Sequence, residues 1–513
     1  MALQEYTTPT VSFNDLNLGG GLNSTGGALS LRDNESPDLQ NVDFNKFGSA
    51  VKRNGYAALN TSAITNSPNS DGLHWFEYDS SGTLTRKLIN VADGKLWKMD
   101  DLDGTWDDIT GGLTITADNF CDFENWNNKV FITNNQDPPF EWDGSTAQTI
   151  QNTPTGLTDA KFVKQFNNYL FLANVLVSST RHGSRIYWSD ISDEGAWTDA
   201  NFINVANDDG QEITGLKVLS DRLVIFKTRS IYTLFFTGDT DVPFVLPGGG
   251  KTNSSVGCVA PYSIQEVQNG LVFLSSDGFY FFDGNNSVKI SDKINTTLLG
   301  LNTSRFGSVV SVNQRDKNRY WCSLTSSGQT TNDRVLVWDY FNNAWSIYVG
   351  MAIAAATSVY VSGVSERVYW GDYAGFVYRA DTGTDDFPLN VETAINAYYY
   401  TNWRPYGDLV NQKAIPQAII YYQTSNSVLT FSYSYDFETG DTYSNTLDLS
   451  GGTDTYGSGL YDTATYASEG GAVARVDLTG RGRVVRYKFS NNTVGETFQI
   501  DGLGTLPYLE TNV

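Results

Sequence analysis

Between residues 71 and 385 the chain alternates short apolar runs with polar turn residues. In the first unit the apolar runs 73–78 and 84–91 are followed by the turn Asp93-Gly94. Asn-Gly and Asp-Gly pairs between apolar runs predict β-hairpins, because both turn positions require positive φ. This segment is therefore predicted to consist of short antiparallel strands.

The unit recurs at a spacing on the order of 40 residues, which is the period of a four-stranded propeller blade. About seven units fit this template, and the pattern leaves six to eight open. A single blade cannot cover both of its faces, so blades are expected to stack around a closed ring. A pair of β-sandwiches would explain the strands, but not the recurring order of turn, strand, aspartate and Gly or Trp. The sequence thus predicts an all-β fold with a β-propeller over residues 71–385.

The two segments that flank the repeats have different patterns of apolar and polar residues. Residues 1–70 lack sustained alternation and are rich in Asn, Ser, Thr and Gly, which predicts an extended N-terminal arm that packs on a neighbouring domain or subunit. Residues 386–513 contain longer alternating strands, such as 428–435, separated by a Gly-, Ser-, Asp- and Thr-rich insert at 438–470. This pattern predicts a C-terminal antiparallel β-sandwich.

Composition agrees with the strand pattern and limits the partners. The chain has 12 Trp, 29 Tyr, 28 Phe and 48 Gly but only 3 Met, which favours many short strands and tight turns. Lys and Arg total 34 and Asp and Glu total 57, so the formal net charge is −23. Such a surface repels phosphate and argues against a protein that grips nucleic acid. It is compatible with an acidic wall along which a duplex slides.

Few residues are available for catalysis or for metal and cofactor binding. The chain has two histidines, His74 and His182, and three widely spaced cysteines, Cys121, Cys258 and Cys322. They give no catalytic triad, metal-ligand spacing or disulfide framework. We expect no enzyme activity, no metal and no cofactor.

Two further segments resemble ligand sites but do not match their motifs. Residues 247–252, PGGGKT, end like a phosphate-binding loop, but Val245 stands where that motif requires Gly and no helix is expected to follow. A cluster of acids around Gly104 misses the calcium-loop spacing. We interpret it as a solvated hairpin tip that would line a pore if symmetry repeated it. Its members are Asp100, Asp101, Asp103, Asp107 and Asp108.

The segment 18–56 carries the most specific arrangement in the chain. It begins with Gly-Gly-Gly-Leu, passes through a Pro-containing turn and a Leu-x-Asn-Val stretch, and closes after a Gly on Lys-Arg-x-Gly-Tyr. This order resembles the N-terminal signature of the phage tail-hub or tail-nozzle family, the packaged-DNA stabilisation proteins of short-tailed phages. The alternative is an ordinary Gly-rich arm leading into a β domain. The residues that carry the resemblance are Gly19, Gly20, Gly21, Leu22, Pro37, Leu39, Asn41, Val42, Gly48, Lys52, Arg53, Gly55 and Tyr56.

The segment 479–489 also resembles the C-terminal part of that family. The resemblance implies a non-enzymatic virion protein of the phage tail, made in the host cytoplasm, that forms a ring of six copies below the portal. This head–tail connector would continue the DNA channel, retain packaged double-stranded DNA without sequence-specific binding, and contact portal or adaptor proteins. It would also provide a docking platform for tail fibres or spikes.

Several expectations remain open beside this one. The basic groups Lys52-Arg53 and 481–488 could pair with acids on a neighbouring subunit, or could face solvent. The chain has no start typical of a signal peptide and no apolar run near the ~18 residues of a membrane span, so neither is expected. The runner-up function is a carbohydrate-binding or carbohydrate-cleaving propeller that uses exposed Trp and Tyr rings.

Overall fold

The N-terminal strands are short and join sheets that are built mainly from distant parts of the chain. A computed structural model of the chain describes residues 13–15, 17–360, 366–450, 467–468 and 471–509. Residues 1–12 of the predicted arm and most of the insert beyond residue 450 lie outside this description. The first strands are β1 (Phe13–Asp15), β2 (Leu39–Gln40), β3 (Val42–Phe44), β4 (Ala50–Lys52) and β5 (Tyr56–Ala58).

The next part of the chain forms three four-stranded antiparallel sheets, each paired in sequence order. Blade 1 contains β6 (Ser70–Ser80), β7 (Thr83–Ala92), β8 (Lys95–Asp100) and β9 (Asp107–Asp108). Blade 2 contains β10 (Asp122–Trp126), β11 (Lys129–Thr133), β12 (Phe140–Trp142) and β13 (Ala147–Thr149). Blade 3 contains β14 (Leu157–Phe166), β15 (Tyr169–Val177), β16 (Thr180–Asp190) and β17 (Asp193–Asn204).

Three further sheets repeat the same pairing order. Blade 4 contains β18 (Ile213–Leu219), β19 (Arg222–Lys227), β20 (Ile231–Phe236) and β21 (Phe244–Val245). Blade 5 contains β22 (Gln265–Val267), β23 (Gly270–Ser275), β24 (Gly278–Phe282) and β25 (Ser287–Lys289). Blade 6 contains β26 (Val310–Gln314), β27 (Arg319–Leu324), β28 (Arg334–Asp339) and β29 (Ala344–Val349).

Blade 7 closes the ring with a strand from the N-terminal segment. Its first three strands are β30 (Ala355–Val359), β31 (Arg367–Gly371) and β32 (Val377–Ala380), and β5 pairs antiparallel with β32 as the fourth. Strand β30 contacts β6 of blade 1, so the seven sheets form a closed circle. The predicted all-β fold and its β-propeller are confirmed, and the blade number is seven.

A repeated aspartate turn explains part of the recurring sequence order. In three blades an aspartate lies at the turn between the third and fourth strands. In each of them one side-chain oxygen, Oδ1, accepts hydrogen bonds from two successive backbone N–H groups. In blade 2, Asp143 accepts from Ser145 at 2.8 Å and Thr146 at 2.7 Å. Asp283 in blade 5 and Asp339 in blade 6 make the equivalent pairs of bonds. These bonds hold the tight reversal that joins the outer two strands.

The C-terminal segment forms two larger sheets and a small one. The seven-stranded sheet joins β1, β3 and β4 to C-terminal strands, the five-stranded sheet begins with β2, and the third sheet has three strands. The strands are β33 (Ala397–Tyr400), β34 (Lys413–Ala414), β35 (Gln417–Gln423), β36 (Val428–Tyr435), β37 (Tyr443–Asp448), β38 (Ala467–Ser468), β39 (Gly471–Asp477), β40 (Arg481–Gly482), β41 (Val485–Asn491), β42 (Gln499–Thr505) and β43 (Tyr508–Leu509).

One hydrophobic cluster joins these sheets to the propeller. It includes Val42 of β3, Phe431 of β36 and Leu503 of β42, together with Tyr320 and Trp345 of blade 6. Strands of the N-terminal segment thus occur in blade 7 and in both larger sheets. The predicted domain boundaries after residues 70 and 385, and the sandwich itself, stay predictions.

Helical structure is sparse. The described residues contain one short α-helix, α1 (Asn295–Leu299), and six short 3-10 turns. No helix in the described part of the chain is long and apolar enough to cross a membrane.

Candidate functional site

The signature segment lies where the propeller meets the C-terminal sheets. Strand β2 pairs with β33, and β4 pairs with β42, so the segment is hydrogen-bonded into both larger sheets. The backbone N–H of Asn41 donates to the carbonyl of Ile347 in blade 6 at 2.8 Å. The segment therefore connects three parts of the fold within about twenty residues of sequence.

Arg53 is the central side chain of this junction. Its guanidinium binds the Asp386 carboxylate through two bonds, Nη1 to Oδ1 at 2.8 Å and Nη2 to Oδ2 at 2.6 Å. It also donates to Asn41 Oδ1 at 2.8 Å and to the Val349 carbonyl at 3.0 Å. The two charged side chains are only 3% and 7% exposed. Burial raises the pKa of Asp386 even though Arg53 acts to lower it.

Lys52 is buried beside this pair and is also satisfied within the chain. Its ammonium donates to Asn491 Oδ1 and to the Glu496 carbonyl, both at 2.8 Å. Burial lowers the pKa of Lys52 to about 8. The interpretation that Lys52 and Arg53 reach acids on a neighbouring subunit is therefore wrong, because both cations are used to fix the chain to itself.

The glycines of the signature are required by close packing. A Cβ on Gly55 would lie 1.7 Å from the carbonyl oxygen of Asp385, and a Cβ on Gly21, at φ +74°, would lie 2.7 Å from the Trp345 nitrogen. Gly48 has φ +84°. The other signature positions are filled mostly by buried side chains. Leu22, Leu39, Asn41, Val42 and Tyr56 are buried, Gly19 and Gly20 lie in the close-packed entry, and Pro37 is half-buried.

The acidic cluster lies on the outer edge of blade 1 and is partly neutralised. Lys98 binds both Asp100 at 2.8 Å and Asp107 at 2.9 Å, and Lys95 binds Asp108 at 2.8 Å. Asp101 and Asp103 are exposed. In the described part of the chain no group of three His, Cys, Asp or Glu residues could hold a metal ion. A position of the cluster on the lumen of a ring stays a prediction.

The first strands of all seven blades surround a central cavity of about 280 Å³. This volume lies near the lower limit of small-molecule pockets, which span about 300–1,000 Å³. A DNA duplex cannot enter it. The propeller is therefore a closed body, and any passage for a duplex has to lie outside its central axis.

His74, one of the two histidines of the chain, lies on the wall of this cavity. Its ring stacks on Phe123 with centroids 5.1 Å apart and hydrogen-bonds Asn125 Oδ1 at 2.8 Å. Burial lowers the pKa of His74 to about 4, so the imidazole is neutral at physiological pH. On the same wall, Lys164 of blade 3 pairs with Glu124 of blade 2. Sequence reasoning missed this group, although charged residues within otherwise apolar first strands were a visible signal.

Asp71, next to the cavity, gives the chain an expected pH dependence. Its Oδ2 accepts the Asp118 N–H at 2.9 Å, and burial raises the pKa of Asp71 to about 7. Between the ordinary carboxyl pKa and this value the folded chain holds a proton that the unfolded chain releases, so stability falls as pH rises. From about pH 4 to about pH 7.5 we expect the wild type to lose about 3–4 kcal/mol more than Asp71→Asn. Urea unfolding of both proteins across this range measures the difference, and parallel curves would contradict it.

Carbohydrate recognition through stacked rings would need exposed aromatic side chains. None of the twelve Trp side chains, all of which lie in the described ranges, is exposed, whereas Tyr360 and Tyr421 are. The carbohydrate-binding alternative therefore has no support from Trp and stays a prediction for Tyr. The tryptophans instead pack within and between sheets, as Trp345 does against Phe279 with centroids 5.1 Å apart.

Three solved structures are distantly similar to this chain. YCF48 bound to D1 peptide aligns with 14% identity and a TM-score of 0.40, covering 67% of this chain and 97% of that chain. BamB from Moraxella catarrhalis aligns with 11% identity and a TM-score of 0.36, covering 64% and 97%. The computationally designed Ika8 protein aligns with 11% identity and a TM-score of 0.34, covering 62% and 98%. No curated protein matches the sequence.

The family comparison is specific. The model described as Bacteriophage P22 Gp10, beta-propeller matches residues 77–346, from β6 of blade 1 to β29 of blade 6. The match covers more than half of the chain, and it confirms the resemblance that the signature segment indicated at the sequence level. The chain therefore belongs to the phage stabilisation family of the bacteriophage P22 Gp10 β-propeller.

Proposed function

We propose that this chain is a tail hub or nozzle protein, which assembles as a closed ring below the portal and continues the DNA channel out of the phage head. Membership of the phage stabilisation family is the observation that carries this proposal. Membership of that family is consistent with a structural role in the virion. The chain would supply no catalyst, and its partners would be further copies of itself, portal or adaptor proteins, and tail fibres or spikes.

The central cavity supports a channel between copies rather than within one copy. At about 280 Å³ it has no room for a duplex, so a DNA-conducting protein of this fold needs several copies arranged around a common axis. Contacts that generate such a ring are heterologous and have to close on themselves. We propose six copies, as the family resemblance implies.

The negative net charge of the chain supports a channel that surrounds DNA without binding it tightly. The net charge of −23 repels phosphate, and a symmetric ring repeats every exposed carboxylate once per copy. Asp101 and Asp103 of the acidic cluster are exposed and carry no ion pair among the residues that the structure describes. We propose that this edge of blade 1 faces the duplex, which would keep the packaged DNA free to move at ejection.

The junction around Arg53 supports a rigid wall element. It fixes the N-terminal segment, blade 6 and the segment after blade 7 through buried charge-assisted bonds, which are stronger and more geometrically restrictive than neutral ones. A subunit that resists deformation is suited to a ring that forms the wall of a DNA channel. Exposed loops on the outer surface would then be available for fibre or spike docking.

Electron microscopy tests the proposal directly. Purified chain mixed with its portal and adaptor proteins is expected to give end-on views with six copies around an open axis wide enough for a duplex. Phage particles lacking the chain are expected to package DNA and then lose it, which a nuclease-protection assay measures. A chain that stays monomeric beside its neck proteins, or particles that retain DNA without it, would overturn the proposal.

A further inference from the structure

The hairpin of β3 and β4 places a lysine at a core position. Ala50 and Lys52 are the buried residues of β4, and they pair with the buried Phe44 and Val42 of β3. The three apolar residues belong to the hydrophobic cluster that joins the C-terminal sheets to the propeller, whereas Lys52 is 1% exposed and polar. Burying an ammonium costs free energy that an apolar side chain would not, so a lysine at this position calls for a chemical explanation.

The Lys52 ammonium lies against a buried side-chain amide. Its Nζ is 2.8 Å from Oδ1 of Asn491, which is the last residue of β41 and is 4% exposed. Because a C=O bond is about 1.2 Å long, Nζ lies within about 4 Å of Cγ, the carbonyl carbon of that amide. Strand β4 belongs to the seven-stranded sheet and β41 to the five-stranded sheet. A potential nucleophile and a carbonyl carbon are thus held together between two sheets.

Glu496 contacts both partners of this pair. Its Oε2 accepts a hydrogen bond from Asn491 Nδ2 at 2.7 Å and another from the Val428 N–H at 3.2 Å. Its backbone carbonyl accepts a hydrogen bond from the Lys52 ammonium at 2.8 Å. A carboxylate in this position can take a proton from one nitrogen and give it to the other.

The Lys52 amine is partly neutral near physiological pH. Burial lowers its pKa to about 8. The guanidinium of Arg53 adds to this shift, and three neighbouring carboxylates oppose it, those of Asp385, Glu496 and Asp386. Roughly a tenth of the amine is then neutral at pH 7, compared with less than about a thousandth for an ordinary lysine. Only the neutral amine has a lone pair that can attack a carbonyl carbon.

We propose that Lys52 and Asn491 react to form an intramolecular isopeptide bond, with Glu496 as the catalytic proton carrier. The lone pair of Nζ forms a bond to Cγ of Asn491, the Cγ–Nδ2 bond breaks, and Nδ2 leaves as ammonia. Nζ gives up one proton, which Glu496 accepts and passes to Nδ2, so the carboxylate is regenerated. The reaction consumes no oxidant, reductant or co-reactant.

The isopeptide bond would give the fold a covalent closure. It would join two residues that are 439 positions apart and fasten β4 of the N-terminal segment to the C-terminal sheets. Such a link cannot be opened by unfolding, so it would prevent the N-terminal segment from separating from β41. The bond rests on contacts within one copy and does not depend on the proposed ring.

Mass spectrometry of the folded full chain tests this proposal. The wild type is expected to weigh one ammonia less than its sequence, and its tryptic digest is expected to contain a branched peptide in which Lys52 is joined to Asn491. Lys52→Met removes the nucleophile and is expected to show the full sequence mass. Glu496→Gln retains the backbone carbonyl and the side-chain shape but removes the proton carrier, so it is expected to lose most of the branched peptide. Circular dichroism checks that both variants are folded.

A matched variant controls for the loss of a buried ammonium. Lys227 is 0% exposed, donates to the Ala206 carbonyl at 3.0 Å and pairs with Asp209 at 2.8 Å. Lys227→Met is therefore expected to keep the branched peptide. Cyclisation of an Asn-Gly pair also releases ammonia, so the branched peptide decides the test. A folded wild type without that peptide would overturn the proposal, and a wild-type yield of it in Glu496→Gln would overturn the role of Glu496.

Discussion

Replacing Arg53 by Met is expected to lower the free energy of unfolding by about 3–5 kcal/mol, which is typical of breaking a buried ion pair by removing one partner. The methionine keeps most of the side-chain volume but leaves the Asp386 carboxylate buried without its two donors. The Asn41 side chain and the Val349 carbonyl lose a donor at the same time. Urea unfolding followed by Trp fluorescence measures the change.

A matched variant shows whether burial is the cause. Arg222 also pairs with a carboxylate, Asp221 at 3.0 Å, but the two side chains are 31% and 69% exposed. Exposed pairs contribute about 0–1 kcal/mol, so Arg222→Met is expected to change stability by no more than that. Adding Asp386→Leu to Arg53→Met should restore part of the loss, because it removes the orphaned charge. Equal effects of Arg53→Met and Arg222→Met would show that the junction does not depend on this pair.

The blades could be predicted because their signals are local. The turn Asp93-Gly94 lies between two apolar runs, and the structure gives these residues φ values of 55° and 66°. Asn127-Asn128 likewise has φ values of 50° and 59°. A hairpin turn is specified by the two residues that adopt positive φ, so one sequence is enough to find it.

The closure of the ring could not be predicted from local pattern. Strand β5 pairs with β32, more than 300 residues away along the chain, and its three residues show no distinctive alternation. A weak signal was present in the sequence. The last repeat, residues 354–380, contains three apolar runs, whereas a blade needs four strands. The missing fourth strand had to come from elsewhere, but only the tertiary structure identifies which segment supplies it.

The candidate sites show the same division between local and long-range information. The signature was recognisable as a sequence motif, yet the partner of Arg53 is Asp386, which no spacing rule connects to it. The wall of the central cavity depends on first strands from all seven blades meeting around one axis. Which residues of a first strand face the cavity depends on register and ring closure, and neither is encoded near His74.

The second large effect is expected at this ring closure. Tyr56 of β5 is 1% exposed, and its ring packs edge-on against Trp370 and Tyr378 with centroids 5.0 and 5.1 Å away. Its hydroxyl donates to the Gly350 carbonyl at 2.8 Å. Tyr56→Ala is expected to destabilise blade 7 by about 3–5 kcal/mol, as for other buried aromatic truncations. The backbone bonds of Gly55 to Gly383 and of Leu59 to Val377 remain, so the pairing of β5 with β32 is expected to loosen between these two points.

Hydrogen exchange can localise that effect as well as measure it. In Tyr56→Ala the amides of β32 that pair with β5, from Tyr378 to Ala380, are expected to exchange much faster, while those of blade 3 keep their protection. Tyr56→Phe retains the ring and should cost only about 1 kcal/mol for the lost hydroxyl bond. Tyr360→Ala, at a position 59% exposed, is expected to stay within about 0.5 kcal/mol of the wild type. The two alanine variants differ in whether the buried aromatic ring of β5 is removed. If the β32 amides are equally protected in Tyr56→Ala and Tyr360→Ala, the Tyr56 ring is not what holds β5 in blade 7.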